Sequence, residues 1–210
     1  MAYAVFYGRD AIMAEKRKKK EEEKPGWQKS VLLYAYDMLY LLLIVMLLFL
    51  LVFRIIVVSG GSMRMTLLDG DYLLLLNNTF YHTPQRGDIV VISKESFDNG
   101  KPIVKRVIAT EGQTVDIDFE TGEVSVDGTV LQEDYINALT TVDGGVHFPL
   151  TVAEGCIFVL GDNRGISKDS RYPDVGQIDR REVLGKAIFL MYPGTDEGTY
   201  PREFERVGAV

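Results

Sequence analysis

Thiol, metal and redox chemistry have almost nothing to work with in this sequence, whose 210 residues include one cysteine and two histidines. A single cysteine cannot close an internal disulfide, so no part of the fold depends on an oxidising compartment. Cys156 sits in Gly155-Cys156-Ile157-Phe158-Val159-Leu160, an apolar run of strand length, and reads as a small buried hydrophobe rather than a reactive thiol. His82 and His147 lie far apart and are expected on loops or the surface. No His, Cys and carboxylate cluster has metal-ligand spacing, so neither a metal nor another cofactor is expected. Internal repeats are also missing.

A basic face is lacking from the body of the chain. Residues 1–30 carry eight basic and five acidic residues, a balance of +3, while the other 180 carry fifteen against twenty-five, a balance of −10. An acidic globular part speaks against nucleic acid as a partner, because phosphates need a basic surface. The basic tail centres on Lys16-Arg17-Lys18-Lys19-Lys20 and suits an anionic inner membrane leaflet.

Polar residues are scarce from Val31 to Val58, where Asp37 and Arg54 are the charged interruptions. A bilayer core takes roughly 20 apolar residues as a helix, so a transmembrane anchor is expected over 31–58, with the lipid bilayer as a partner. Tyr34, Tyr36 and Tyr40 fit interfacial anchors near one end, and Arg54 a snorkelling cation near the other. The run is too long for the core of a cleaved secretory signal, and no Ala-x-Ala site comes after it. The basic excess on its N-terminal side places residues 1–30 in the cytoplasm and the rest of the chain outside.

Beyond the anchor, residues 59–193 read as one extracytoplasmic domain and 194–210 as a polar, loosely ordered tail. Short apolar runs at 71–76, 88–92, 103–109, 115–119, 123–126, 157–160 and 184–192 are separated by turn signals such as Thr121-Gly122 and Asp127-Gly128. The expected fold is mainly β, an all-β and partly barrel-like domain behind a single N-terminal transmembrane helix.

Two stretches carry chemistry. The small-residue turn Ser59-Gly60-Gly61-Ser62 comes soon after the anchor and offers a hydroxyl, which needs an activating group to serve as a nucleophile. In Ile103-Val104-Lys105-Arg106-Val107-Ile108, strand alternation puts Lys105 between Ile103 and Val107 on one face. A desolvated lysine there loses its proton readily and can act as a general base; a lysine that snorkels out or pairs with a carboxylate cannot. Gly161-Asp162-Asn163-Arg164-Gly165-Ile166-Ser167-Lys168-Asp169-Ser170-Arg171 is either a solvated loop or a rigid ion-paired turn.

Together, Ser62-Met63 before Thr66-Leu67, Gly70-Asp71, Lys105-Arg106-Val107 and the Gly161–Arg171 block resemble bacterial type I signal peptidase, over about residues 31–190. The resemblance implies a serine endopeptidase that cleaves the signal peptides of exported precursor proteins. Ser62 would be its nucleophile and Lys105 its general base, with Ser167 orienting the lysine amine. Asp162, Arg164, Asp169, Arg171 and Arg106 would brace the site, through ion pairs Asp162–Arg106 and Asp169–Arg171. The Ser62 N–H would form part of the oxyanion hole, and Met63 would be a substrate-binding residue. The substrate would lie extended, with small side chains one and three residues before the cut. Family members often carry proline where this chain has Met65, so the turn after Ser62 is expected to be looser. Some carry a hydroxyl where this chain has Gly60, which leaves Ser59 as the candidate second oxyanion donor. Two rival readings stay open: a peptidase dedicated to one client, and a silent β-domain that binds extended peptides.

Overall fold

A computed structural model describes residues 26–195 and 202–210, so the expected tail over 1–30 lies outside the described residues up to position 25. The chain forms two compact units, Met1–Phe49 and Leu50–Val210. Its first described element, helix α1 (Trp27–Val52), has no buried residue and a mean hydropathy of 2.5 over its most apolar window. At 1.5 Å per residue these 26 residues span about 39 Å, more than the ~30 Å hydrocarbon core of a bilayer. An all-round apolar helix of this length is long enough to cross a membrane.

The helix ends earlier than the expected 31–58 anchor. Phe53–Val57 forms strand β1, antiparallel to β2 (Tyr72–Asn77) from Phe53↔Leu76 to Val57↔Tyr72. The segment Ile55-Ile56-Val57 is β-branched throughout, which favours a pleated strand, and the β2 ladder satisfies its backbone. Arg54 is therefore an exposed strand residue opposite Leu75, not a cation at a helix end.

The remaining strands are β3 (Ile89–Ile92), β4 (Ile103–Thr110), β5 (Thr114–Asp118), β6 (Glu123–Val126), β7 (Thr129–Val130), β8 (Leu150–Thr151), β9 (Cys156–Leu160), β10 (Ile178–Asp179), β11 (Val183–Tyr192) and β12 (Gly208–Ala209). The principal sheet runs β1-β2-β11-β3-β4-β9-β10, with β12 added to β11, and a smaller sheet runs β7-β6-β5-β8. Register shifts interrupt the ladders at Val107/Ala109, Val183/Gly185, Ala187/Phe189 and Leu190/Tyr192. Such bulges bend a strand and increase its twist, giving the principal sheet the curl of a half-barrel. The fold is mainly β, as the sequence pattern suggests. Asp127 and Gly128 both take positive φ, 53° and 74°, the conformation of a tight hairpin turn between β6 and β7.

Three apolar clusters fill the second unit. Val58, Met63, Leu67, Leu73, Leu75 and Val104 pack together under the turn that carries Ser62. Val107 and Ile103 belong to a second cluster with Val90, Ile92 and Val159, as alternation along β4 requires. Ile108, Phe158 and Leu160 join the small sheet in a third. His82 and His147 are exposed, as expected, and Cys156 is half-buried with its thiol pKa raised by burial, the condition of an inert thiol.

The tail beyond residue 194 is, where described, an ordered part of this unit rather than a loose end. Gly208–Ala209 pairs with Leu190 and Phe189. Arg206 reaches back to the Asp71 carboxylate at 2.7 and 3.1 Å and to the Thr66 carbonyl at 3.2 Å. Asp71 is fully buried and also accepts from the N–H groups of Leu68 and Gly194. A buried carboxylate needs this full set of donors, and the tail supplies its cation.

Candidate active site

Ser62 stands on a turn tied down on both sides. Met63 and Leu67 drive its far half into the core, and the Met63 carbonyl accepts from the N–H groups of Thr66 (3.1 Å) and Leu67 (2.8 Å). On the near side Gly60 donates to Asp69 Oδ1 at 2.7 Å. Its φ of 92° belongs to the left-handed region, where glycine carries no Cβ penalty.

Met65 departs from the expectation of a loose turn. Its φ is 86°, a left-handed value that a proline ring cannot reach, since the ring fixes φ near −65°. The turn here has a different conformation, not merely a freer one. Met65→Pro, the exchange toward the residue common in the family, is expected to lower stability by more than about 1 kcal/mol; a thermal melt beside the parent protein checks this.

Strand β4 is central, paired with β3 on one side and β9 on the other, and it delivers Lys105 rigidly. The Lys105 side chain crosses to the turn, where Nζ lies 2.8 Å from Ser62 Oγ. Lys105 is only 3% exposed. Burial, the largest influence, lowers its pKa from 10.5 to about 8; Asp169 and Asp162 pull upward and Arg171 downward. Desolvation dominates because an ammonium removed from water loses more than these carboxylates return.

The loop after β9 supplies the frame. Arg106 meets Asp162 in a two-pronged pair, Nε–Oδ1 2.8 Å and Nη2–Oδ2 2.6 Å. Asp162 Oδ2 also accepts from Thr66 Oγ1 at 2.5 Å, which links β4 to the Ser62 turn. Arg171 and Asp169 form a fully buried pair, Nε–Oδ1 2.8 Å and Nη2–Oδ2 3.0 Å, and Asp169 Oδ2 accepts from the Gly161 N–H. Gly161 allows a close approach: a Cβ there would overlap Ser167 and lie 2.5 Å from the Ser62 carbonyl.

The structure thus brings Ser62, Lys105, Arg106, Asp162, Asp169 and Arg171 together, with both expected ion pairs formed. Two expectations need correction. Ser167 makes no hydrogen bond to Lys105; its Oγ is buried without a partner, while its carbonyl is held by Arg171 at 3.1 Å. Met63 offers no side chain to a substrate, being 1% exposed inside the core, so only its backbone can face the turn's open side. Ser59, the candidate second donor, is exposed.

Arg164 also braces the site as expected, but several of the contacts and partners here are not visible in the motif blocks. Arg164 is fully buried and pairs with Glu133 (2.5 and 2.8 Å) and Thr140 (2.6 Å). Tyr135 donates to Glu133 and lies under Arg106, whose guanidinium carbon is 4.0 Å from the ring centre. Asn163 donates through Nδ2 to the Gly61 carbonyl (2.9 Å) and through its backbone N–H to the Ser62 carbonyl (3.0 Å). Glu133 and Tyr135 come from a strand-poor stretch between β7 and β8, where no periodicity marks a charged residue as buried. Asn163 is legible in the sequence as a member of the loop, but not as a contact. Among the described residues no cluster could hold a metal ion.

Comparisons with known proteins match this sequence to one family. The sequence pattern of signal peptidase, peptidase S26, matches residues 31–192. The probable signal peptidase I-1 of Synechocystis sp. is 35% identical over 144 residues, 65% of this chain and 69% of its own length. The signal peptidase I of Bacillus licheniformis is 34% identical over 139 residues, 62% of this chain and 72% of its own. A solved signal peptidase I from Enterococcus faecalis is 34% identical with a TM-score of 0.40, covering 50% of this chain and 96% of that one.

Proposed function

The chain belongs to the signal peptidase family, peptidase S26, and from that membership we propose that it is a membrane-anchored serine endopeptidase that removes signal peptides from exported precursors by a Ser62/Lys105 dyad. The observation that supports this most is the 2.8 Å contact between Lys105 Nζ and Ser62 Oγ, made by an amine kept out of water.

The chemistry starts from the neutral amine. Its lone pair takes the hydroxyl proton as Ser62 Oγ attacks the scissile carbonyl carbon. The oxygen of the tetrahedral intermediate accepts from the Ser62 N–H, a donor that matters only once negative charge develops there. The ammonium then protonates the leaving amine, and the C–N bond breaks. The same lysine deprotonates the water that hydrolyses the acyl ester, restoring Ser62. Arg106–Asp162 and Arg171–Asp169 hold the frame in which these atoms meet.

Helix α1 acts as the anchor in this reading, with the basic run at residues 16–20 on the cytoplasmic side and the peptidase unit outside. Substrates are extended precursor segments with small side chains one and three residues before the cut.

The test uses purified full-length protein in detergent and a precursor whose signal ends in Ala-x-Ala, with the cut site read by mass spectrometry. Cleavage after the second alanine that is absent with Ser62→Ala supports the reading; cleavage unchanged by that substitution overturns it. The same assay carries a pH prediction. Protonated Lys105 cannot act as base, and its pKa is lowered to about 8. Activity should therefore climb nearly tenfold per pH unit up to about pH 7 and level off above about 8.5, with about a tenth of the plateau at pH 7. A flat profile from pH 5 to 9 would count against a lysine base.

A further inference from the structure

We propose that Asn163, itself held by Asn137, is the positioning residue that aims the Ser62 N–H at the oxyanion; this rests on the peptidase reading of Ser62 above. A trans peptide is planar, with its C=O and N–H pointing to opposite sides. The N–H of Ser62 and the C=O of Gly61 belong to the same peptide, so whatever grips the carbonyl sets the direction of the donor.

Asn163 is that grip. Its Nδ2 donates to the Gly61 carbonyl at 2.9 Å, beside the turn bond from the Arg64 N–H at 3.1 Å. Its backbone N–H takes the next carbonyl along, that of Ser62, at 3.0 Å. One residue therefore fixes the peptide planes on both sides of the nucleophile. Among the described residues no acceptor takes the Ser62 N–H, which leaves it for a substrate oxygen.

The orientation of the Asn163 amide is imposed in turn. Its Oδ1 accepts from Asn137 Nδ2 at 2.9 Å, and its nearly buried side chain leaves Nδ2 facing Gly61. Asn137 comes from the stretch between β7 and β8 and is exposed. The two amides form a relay that ends on the donor peptide. The relay carries more weight in this chain because Gly60 offers no side-chain hydroxyl to share the oxyanion.

The experiment measures kcat, KM and the pH profile of full-length protein in detergent, with an Ala-x-Ala precursor. The variants are Asn163→Ala, Asn163→Asp, Asn137→Ala and the double alanine variant. Asn163→Ala should lower kcat by about 10- to 100-fold, the cost of misaligning or losing one oxyanion donor. KM should stay within about twofold, and the pH inflection should not move, because the burial of Lys105 is untouched. Asn163→Asp keeps the acceptor for Asn137 but turns an anion toward the Gly61 carbonyl, and should lose at least as much. Asn137→Ala should lower kcat by about three- to tenfold and add nothing in the Asn163→Ala background, since it acts only through that residue.

The inference is overturned by an unchanged kcat in either Asn163 variant, by a loss that falls on KM, or by a displaced pH inflection in Asn163→Ala. It is equally overturned if Asn137→Ala costs as much in the double variant as alone. Should the Asn163 variants not fold, exposed Asn137 carries the test: a kcat-only loss supports the relay, and an unchanged kcat or a KM effect refutes it. Failure of the peptidase reading looks different, because the parent protein would then not cut or would still cut as Ser62→Ala.

Discussion

Lys105→Met is expected to abolish cleavage, by on the order of 10^4-fold or more, while leaving the protein at least as stable as its parent. The activity loss comes from the role of the amine: without a base 2.8 Å away, Ser62 keeps its proton and is a weak nucleophile. The stability expectation comes from burial. The lowering of the Lys105 pKa from 10.5 to about 8 corresponds to about 3 kcal/mol of cost for carrying the ammonium at neutral pH. Methionine fills a similar volume without charge and has no such cost. Ser62 is only half-buried, so water can replace the lost hydrogen bond.

The sign of the linkage gives an independent readout. The folded-state pKa lies below the unfolded one, so between about pH 8 and 10.5 the unfolded chain binds the extra proton. Stability contributed by this group therefore rises across that window and is lowest below it. The methionine variant should lack that rise. Melts from pH 7 to 10.5 beside a cleavage assay decide the matter: a variant that is inactive but several degrees less stable at neutral pH would mean that the lysine is structural.

Arg171→Ala should have the opposite balance, with activity lost because the frame collapses. Arg171 and Asp169 have no exposed surface. Arg171 holds the carboxylate by two bonds and the carbonyls of Val142, Arg164 and Ser167 by three more. Removing it leaves a buried anion and orphaned carbonyl oxygens, a loss of about 3–5 kcal/mol. For a chain of this size that is a fall of about 10 °C in melting temperature. Arg171→Lys should recover little, since an ammonium cannot span the forked geometry. A melting temperature within about 2 °C of the parent for the alanine variant would show that the pair does not hold the loop.

Much of this site is legible in the residues. Apolar neighbours on either side of Lys105, at Ile103 and Val107, make a desolvated amine one of two outcomes, beside a lysine that snorkels out or pairs with a carboxylate, and the family resemblance selects the first. The two ion pairs come with the family resemblance. The details that the structure corrects share a cause. A place in a motif suggests roles for Ser167 and Met63, but whether a hydroxyl meets an amine, or a side chain faces solvent, depends on packing against distant residues. Met63 points into a core built from Leu73, Leu75 and Val104, none of them in its own turn. The end of α1 is hidden in the sequence because Phe53–Val57 is as apolar as the helix before it, and only its partner β2 marks it as strand.

By itself the sequence determined the long apolar helix and the mainly β character of the domain after it, because each rests on composition or short-range periodicity, while the pairing of a serine with a lysine came with the family resemblance. Only the tertiary structure decided that Arg206 reaches back to Asp71, that Glu133 neutralises Arg164, and that Asn163 donates to the carbonyls of Gly61 and Ser62. These contacts join residues between 31 and 135 positions apart or bring the loop after β9 onto a turn 102 residues earlier. Their energy comes from satisfying charges and amides that folding has already removed from water, a demand that no local pattern of residues expresses.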